Sequence, residues 1–165
     1  MDSSPAFAVE HSRNVKVGHK LYKRKWDKKY ACPFCSKNVA KLPRHLNSCH
    51  KGEPEVVDVY SYPAGSVARR LCLEKLHRLG MFKFNSAVYQ QKSGTLKPMR
   101  RPAKQCAAAD YTPCEHCLDL FLTRDMWKHV RSCKHKPPGT KQKRHRYSAN
   151  MPRRTEYIIL TNGRW

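Results

Sequence analysis

Residues 32–51 read CPFCSKNVAKLPRHLNSCHK. Two cysteines stand at C-x-x-C spacing, and His45, Cys49 and His50 follow. A C-x-x-C pair makes a tight turn that aims two sulfurs at one point. A histidine and a cysteine four residues apart lie on the same side of a helix. The stretch therefore reads as a metal-binding module, with either Cys49 or His50 as the fourth ligand.

The same pattern returns 82 residues later in the 165-residue chain. Cys32 and Cys35, nine residues, His45, three residues and Cys49 match Cys114 and Cys117, eleven residues, His129, three residues and Cys133. Val39 and Phe121 stand four residues after the second cysteine of each cluster. Leu42 and Met126 stand three before the histidine, and Tyr30 and Tyr111 precede the first cysteine. These are the positions at which a ββα finger packs a small core between hairpin and helix. Four soft or borderline donors around one point suit tetrahedral zinc, with bonds of ~2.3 Å to sulfur and ~2.0 Å to nitrogen. The sequence thus predicts two structural zinc ions. Their ligands are Cys32, Cys35, His45 and Cys49, and Cys114, Cys117, His129 and Cys133, with His50 the alternative to Cys49. Alignment with Cys133 favours Cys49. Each cluster is complete in itself, so ligands are expected to pair within clusters and not between them. Pro43 is tolerated only in a helix's first turn, so the first helix should begin near Leu42.

The expected architecture is a set of small α+β modules stabilised by zinc. Two Cys-Cys-His-Cys, ββα-like fingers occupy 30–52 and 111–135, joined by a mainly helical segment at 53–110. A basic arm at 1–29 and a basic tail at 136–165 are expected to be largely disordered. In the joining segment, VVDVYSY reads equally as a turn of helix from Pro54 or a short strand. SVARRLCLEKLHRLG predicts a helix over 66–79, capped by Ser66 and stopped at Gly80, with Val67, Leu71, Leu73, Leu76 and Leu79 as candidates for its apolar face. KSGTLKPMRRPAK reads as a loop. Cys72 is expected to be a buried thiol, and His77, Cys106 and His116 have no assigned role.

Lys and Arg number 34 against 12 Asp and Glu, a formal net charge of +22. Six bound thiolates and two zinc ions would lower it only to about +20. Such an excess favours a polyanion. Candidate nucleic-acid contacts are Lys23, Arg24 and Lys25 in the arm, Arg44, Lys128 and Arg131 on the finger helices, Arg100 and Arg101 in the joining segment, and Lys143 and Arg144 in the tail. Trp26, Tyr89 and Trp127 could stack on unpaired bases, although Trp127, two residues before His129, reads better as core. The KRK of 23–25 would serve nuclear import. No apolar run approaches the ~20 residues of a membrane span. The acidic residues are scattered without a catalytic pattern, so no enzyme is expected. The function expected is zinc-finger nucleic-acid binding, DNA before RNA. The alternatives are a protein-interaction adaptor or an RNA-binding protein.

YACPFCSKNVAKLPRHL (30–46) and YTPCEHCLDLFLTRDMWKHVRSC (111–133), with LHRLGMFKFN and LKPMRRP between them, resemble a paired-finger region. It is the N-terminal part of transposon-derived, Crypton-type tyrosine recombinases in animals. The resemblance implies sequence-directed DNA binding near the ends of an element. It also implies a histidine at the position of His50. The arginines, histidines and tyrosine nucleophile of a recombinase are not recognisable in this chain.

Overall fold

The computed structural model describes residues 7–10, 14–17, 21–24, 28–102, 106–137 and 139. The elements run β1 (Phe7–Val9), β2 (Asn14–Val17), β3 (Leu21–Arg24), β4 (Tyr30–Ala31) and β5 (Asn38–Val39). Helices α1 (Leu42–Cys49), α2 (Pro54–Ser61) and α3 (Val67–Gln91) follow, then β6 (Gly94–Leu96), β7 (Tyr111–Pro113), β8 (Leu120–Leu122) and α4 (Met126–Ser132). Among the described residues the sheets are four two-stranded pairs: β1 parallel to β6, and β2–β3, β4–β5 and β7–β8 antiparallel. Among the described residues no helix is long and apolar enough to cross a membrane. The chain divides into two compact units, residues 14–84 and residues 1–13 with 85–165, with the boundary inside α3.

In the unit of residues 14–84, hairpin β4–β5 and helix α1 enclose the first Cys/His cluster. Pro43 stands in the first turn of α1, as its missing N–H demands. The core joins Cys32, Leu42 and Leu46 to Val56 and Val59 of α2 and Leu76 of α3, all buried. The hairpin and helix around the first cluster are therefore not a free-standing bead. Val56 and Val59 on α2, three residues apart, and Leu76 on α3 complete a core that α1 is too short to build. Polar contacts fix the same arrangement. Tyr60 Oη donates to the Pro43 carbonyl at 2.6 Å, and Lys83 Nζ to the Pro33 carbonyl at 3.1 Å.

Helix α3 begins as expected: the Arg69 N–H donates to the Ser66 hydroxyl at 3.2 Å. It does not stop at Gly80 but continues to Gln91. Gly80 is a contact residue, because a Cβ there would collide with the Ala31 carbonyl oxygen and lie 3.1 Å from the Pro33 nitrogen. Val67 and Leu71 are exposed, not core. Leu76 is buried as expected, and the buried face continues through Met81, Asn85 and Val88. The VVDVYSY stretch is helical, since Pro54 opens α2 and places Val56 and Val59 inward.

In the unit of residues 1–13 and 85–165, β1 pairs with β6 in register Phe7↔Gly94 to Val9↔Leu96. The Glu10 N–H extends the pairing to the Leu96 carbonyl at 2.8 Å. Asn85 then acts as a side-chain rung on Lys97: it accepts the Lys97 N–H at 2.8 Å and donates to the Lys97 carbonyl at 3.0 Å. The Met99 N–H reaches the Leu120 carbonyl at 3.0 Å, and Tyr89 Oη lies 3.2 Å from the Ala108 and Tyr111 carbonyls. Part of the expected loop at 92–104 is thus strand β6. Part of the expected unstructured arm is the strands β1, β2 and β3. The joining segment is not a subdomain of its own, because residues 53–84 pack with the first cluster and 85–110 belong with the second. The expected tail, from Thr140 onward, lies outside the described residues.

Candidate metal centres

Both clusters are built by the same backbone device. The Cys32 N–H donates to the Lys37 carbonyl and the Ser36 N–H to the Cys32 carbonyl, at 2.9 and 3.0 Å. The Cys114 N–H donates to the Asp119 carbonyl and the Leu118 N–H to the Cys114 carbonyl, both at 2.9 Å. Four residues after its first cysteine, each turn holds a non-glycine residue in the left-handed region, Ser36 at φ 58° and Leu118 at φ 62°. That conformation costs about 1–2 kcal/mol for such residues. Its recurrence at equivalent positions shows that the knuckle imposes it.

Two groups of donors result. Cys32, Cys35, His45 and His50 offer ligand atoms that all lie within 4.8 Å of one another, and Cys114, Cys117, His129 and Cys133 do the same. The Cys35 Sγ–His45 Nε2 and Cys117 Sγ–His129 Nε2 distances are both 3.3 Å. That is close to the ~3.5 Å edge of a tetrahedron around a metal bonded to sulfur and nitrogen. The donor sets, two Cys with two His and three Cys with one His, are compatible with zinc.

Cys49 is not in the first group. Its thiol is exposed, and His50 stands in its place. Counting four residues from His45 assumes that the ligand still belongs to the helix. Instead His50 is the C-cap of α1, with φ −133° and its N–H on the Leu46 carbonyl, and the backbone has already left the helical path. Its ring lies 5.1 Å from the His45 ring, edge-on, and 5.2 Å from Phe34. Cys133 is likewise the C-cap of α4. The two sites are therefore equivalent at the helix end and not by residue count. His50 Nε2 is buried without a hydrogen-bond partner. A buried, unsatisfied imidazole nitrogen among two thiols and a second imidazole fits a metal ligand, because coordination supplies the missing partner.

The second site is the more enclosed: Cys114, Cys117 and Cys133 are all buried. The Cys114 thiol is pushed down to about 4, chiefly by the hydrogen bond from Cys117 and then by the backbone N–H groups of Cys117 and His116. Cys117 moves up, through the same hydrogen bond and burial. A metal bound at the second site would deprotonate all three of its thiols. Phe121 stacks on His129 with centroids 3.8 Å apart and fixes the imidazole plane. Met126 is fully buried beneath the cluster, as Leu42 is beneath the first. His116 is outside both donor groups.

The candidate nucleic-acid residues separate. Arg44, Arg100, Lys128 and Arg131 are exposed. Arg101 is not available: its Nη2 lies 3.1 Å from Glu10 Oε1, with the side chain 9% exposed. Its sequence context, beside Arg100, does not reveal an acid 91 residues away. The side chains of Lys23 and Arg24, and Lys25, Lys143, Arg144 and Trp26 altogether, lie outside the description. Tyr89 is half-buried in its own unit, and desolvation holds its hydroxyl well above the usual phenol range. Trp127, expected in the core, is instead 48% exposed. On α4 the residues Met126, His129, Val130 and Cys133 face the cluster, which turns Trp127, Lys128 and Arg131 outward together. Arg131 lies over the Trp127 ring at 4.8 Å and Lys128 at 5.6 Å, while Lys128 also pairs with Asp125 at 2.9 Å.

Comparison of the chain with family models, curated proteins and solved structures gives no match, so the functional reading rests on its own residues.

Proposed function

We propose that this protein binds nucleic acid on a scaffold organised by two structural zinc ions, with DNA the preferred partner. The carrying observation is the outer face of α4, where Lys128 and Arg131 stand exposed on the helix that supplies His129. A chain of net charge +22 surrounds them. Five thiolates and two dications leave that balance at about +21. Four protein donors close each zinc's coordination, so the metal holds the helices and leaves no open position for chemistry. Lys128, Arg131, Arg44 and Arg100 would contact phosphates, and phosphate contacts supply affinity that falls steeply with salt. A nuclear setting accompanies this reading.

The test is fluorescence anisotropy of the zinc-loaded chain with labelled DNA. Affinity should fall by at least about tenfold between 50 and 200 mM salt. Lys128→Ala with Arg131→Ala should weaken binding and flatten that dependence. Absence of binding, or binding indifferent to salt, would reject the reading.

A second reading, a protein-docking adaptor, is favoured by Val67 and Leu71. They lie one turn apart on α3 and are 61% and 48% exposed. Glutamate at both positions would leave nucleic-acid affinity intact and abolish a protein partner's binding.

A further inference from the structure

Resting on the nucleic-acid reading, we infer that the outer face of α4 is a stacking site for an unpaired base, with Trp127 as its platform and Arg131 and Lys128 as its phosphate contacts. The indole is the largest side chain on the face turned away from the cluster. It takes no part in the buried set of Cys114, Cys117, Met126 and Cys133. Among the described residues, the core around the second cluster is built without it.

The chemistry of an exposed indole narrows the ligand. Its only polar atom is one N–H donor, so it reads few features of a base edge. What it offers is a π face, and in a duplex the faces of the bases are already stacked on one another. An unpaired base has a free face to meet it. Arg131, one turn on, places its guanidinium 4.8 Å from the ring. This holds the indole in one orientation and keeps a cation where the phosphates beside a stacked base would run. Lys128 adds a second cation on the same face, tethered by Asp125. The ligand class is therefore a single-stranded stretch of DNA or RNA, which present the same base faces and phosphates.

The test uses the full zinc-loaded chain and fluorescence-labelled oligonucleotides of about 12 nucleotides. Single-stranded DNA, single-stranded RNA and a duplex of the same sequence are compared at about 0.1 M salt. Trp127→Ala and Trp127→Leu should each weaken single-strand binding by about tenfold, Trp127→Phe should restore most of it, and duplex affinity should stay unchanged. The DNA and RNA arms identify which strand is preferred. Trp127 lies outside the core, so each variant should still hold two zinc ions, measured alongside. Single-strand affinity unaltered in Trp127→Ala, or retained in Trp127→Leu, overturns the stacking site, as does equal loss on the duplex. In those cases salt-sensitive binding by the unaltered protein leaves the broader reading standing. No binding to any of the three overturns both.

Discussion

At the end of α1 the Cys49 thiol faces solvent, while the next residue turns its ring in among the donors. The two side chains therefore make opposite predictions. His50→Ala should lower zinc content from two ions per chain to one and unfold the first hairpin, read by metal titration and circular dichroism. Cys49→Ala should keep both ions. Iodoacetamide should label Cys49 in the zinc-loaded protein at a rate that chelation barely changes. Protection of Cys49 by zinc would instead make it the ligand. His77 on α3 poses a different question. It is stacked 4.5 Å from Tyr30, its Nε2 is buried without a partner, and burial lowers its pKa, with Lys28 and Arg78 acting the same way and Glu74 opposing. The folded state holds this imidazole neutral, so the unfolded chain binds more protons as pH falls through its ordinary value near 6.5. Stability present above that pH is lost below it. In zinc-saturated protein, His77→Phe should flatten the decline of melting temperature between pH 7.5 and 5.5. An unchanged slope would show that other groups set it.

Helix α3 shows what the chain displays and what it conceals. The ligand spacing, the Ser66 cap, the Pro43 position and the apolar residues Val39, Leu42, Phe121 and Met126 were legible, because each is fixed by local geometry. The extent of α3 was not. Gly80 is a stop signal to local reasoning, yet its reason lies in the backbone of residues 31–33, which presses on the helix from far along the chain. The same holds for Arg101, whose acid is remote in sequence, and for Trp127, whose outward turn follows from where the cluster lies. Spacing left His50 only the alternative to Cys49, because spacing rules describe positions within a helix, and the residue that ends one, here the one among the donors, escapes them. Gly80→Ala should therefore cost more than the gain in helix propensity of about 1 kcal/mol. A net loss of about 1–3 kcal/mol from forced separation is expected in denaturant titration of the first unit. A stabilised variant would show that the close approach is soft.

Along the whole chain, residues 14–84 interrupt the sequence of a unit made of residues 1–13 and 85–165. Val9 and Leu96 are buried where its two pieces meet, and the half-buried Glu10–Arg101 pair joins them. Deleting residues 1–13 should destabilise the second zinc unit by about 2 kcal/mol or more, since it uncovers Leu96 and leaves a buried guanidinium without its acid. The first unit should melt as before, and equal loss in both would contradict the division. The nesting also orders events during synthesis. Strand β1 leaves the ribosome first but must wait for β6, more than eighty residues behind it, before it has a partner. The inserted unit is complete by then. Zinc captured there would order the inserted residues before β6 emerges, and so would lower the entropy cost of bringing β1 and β6 together.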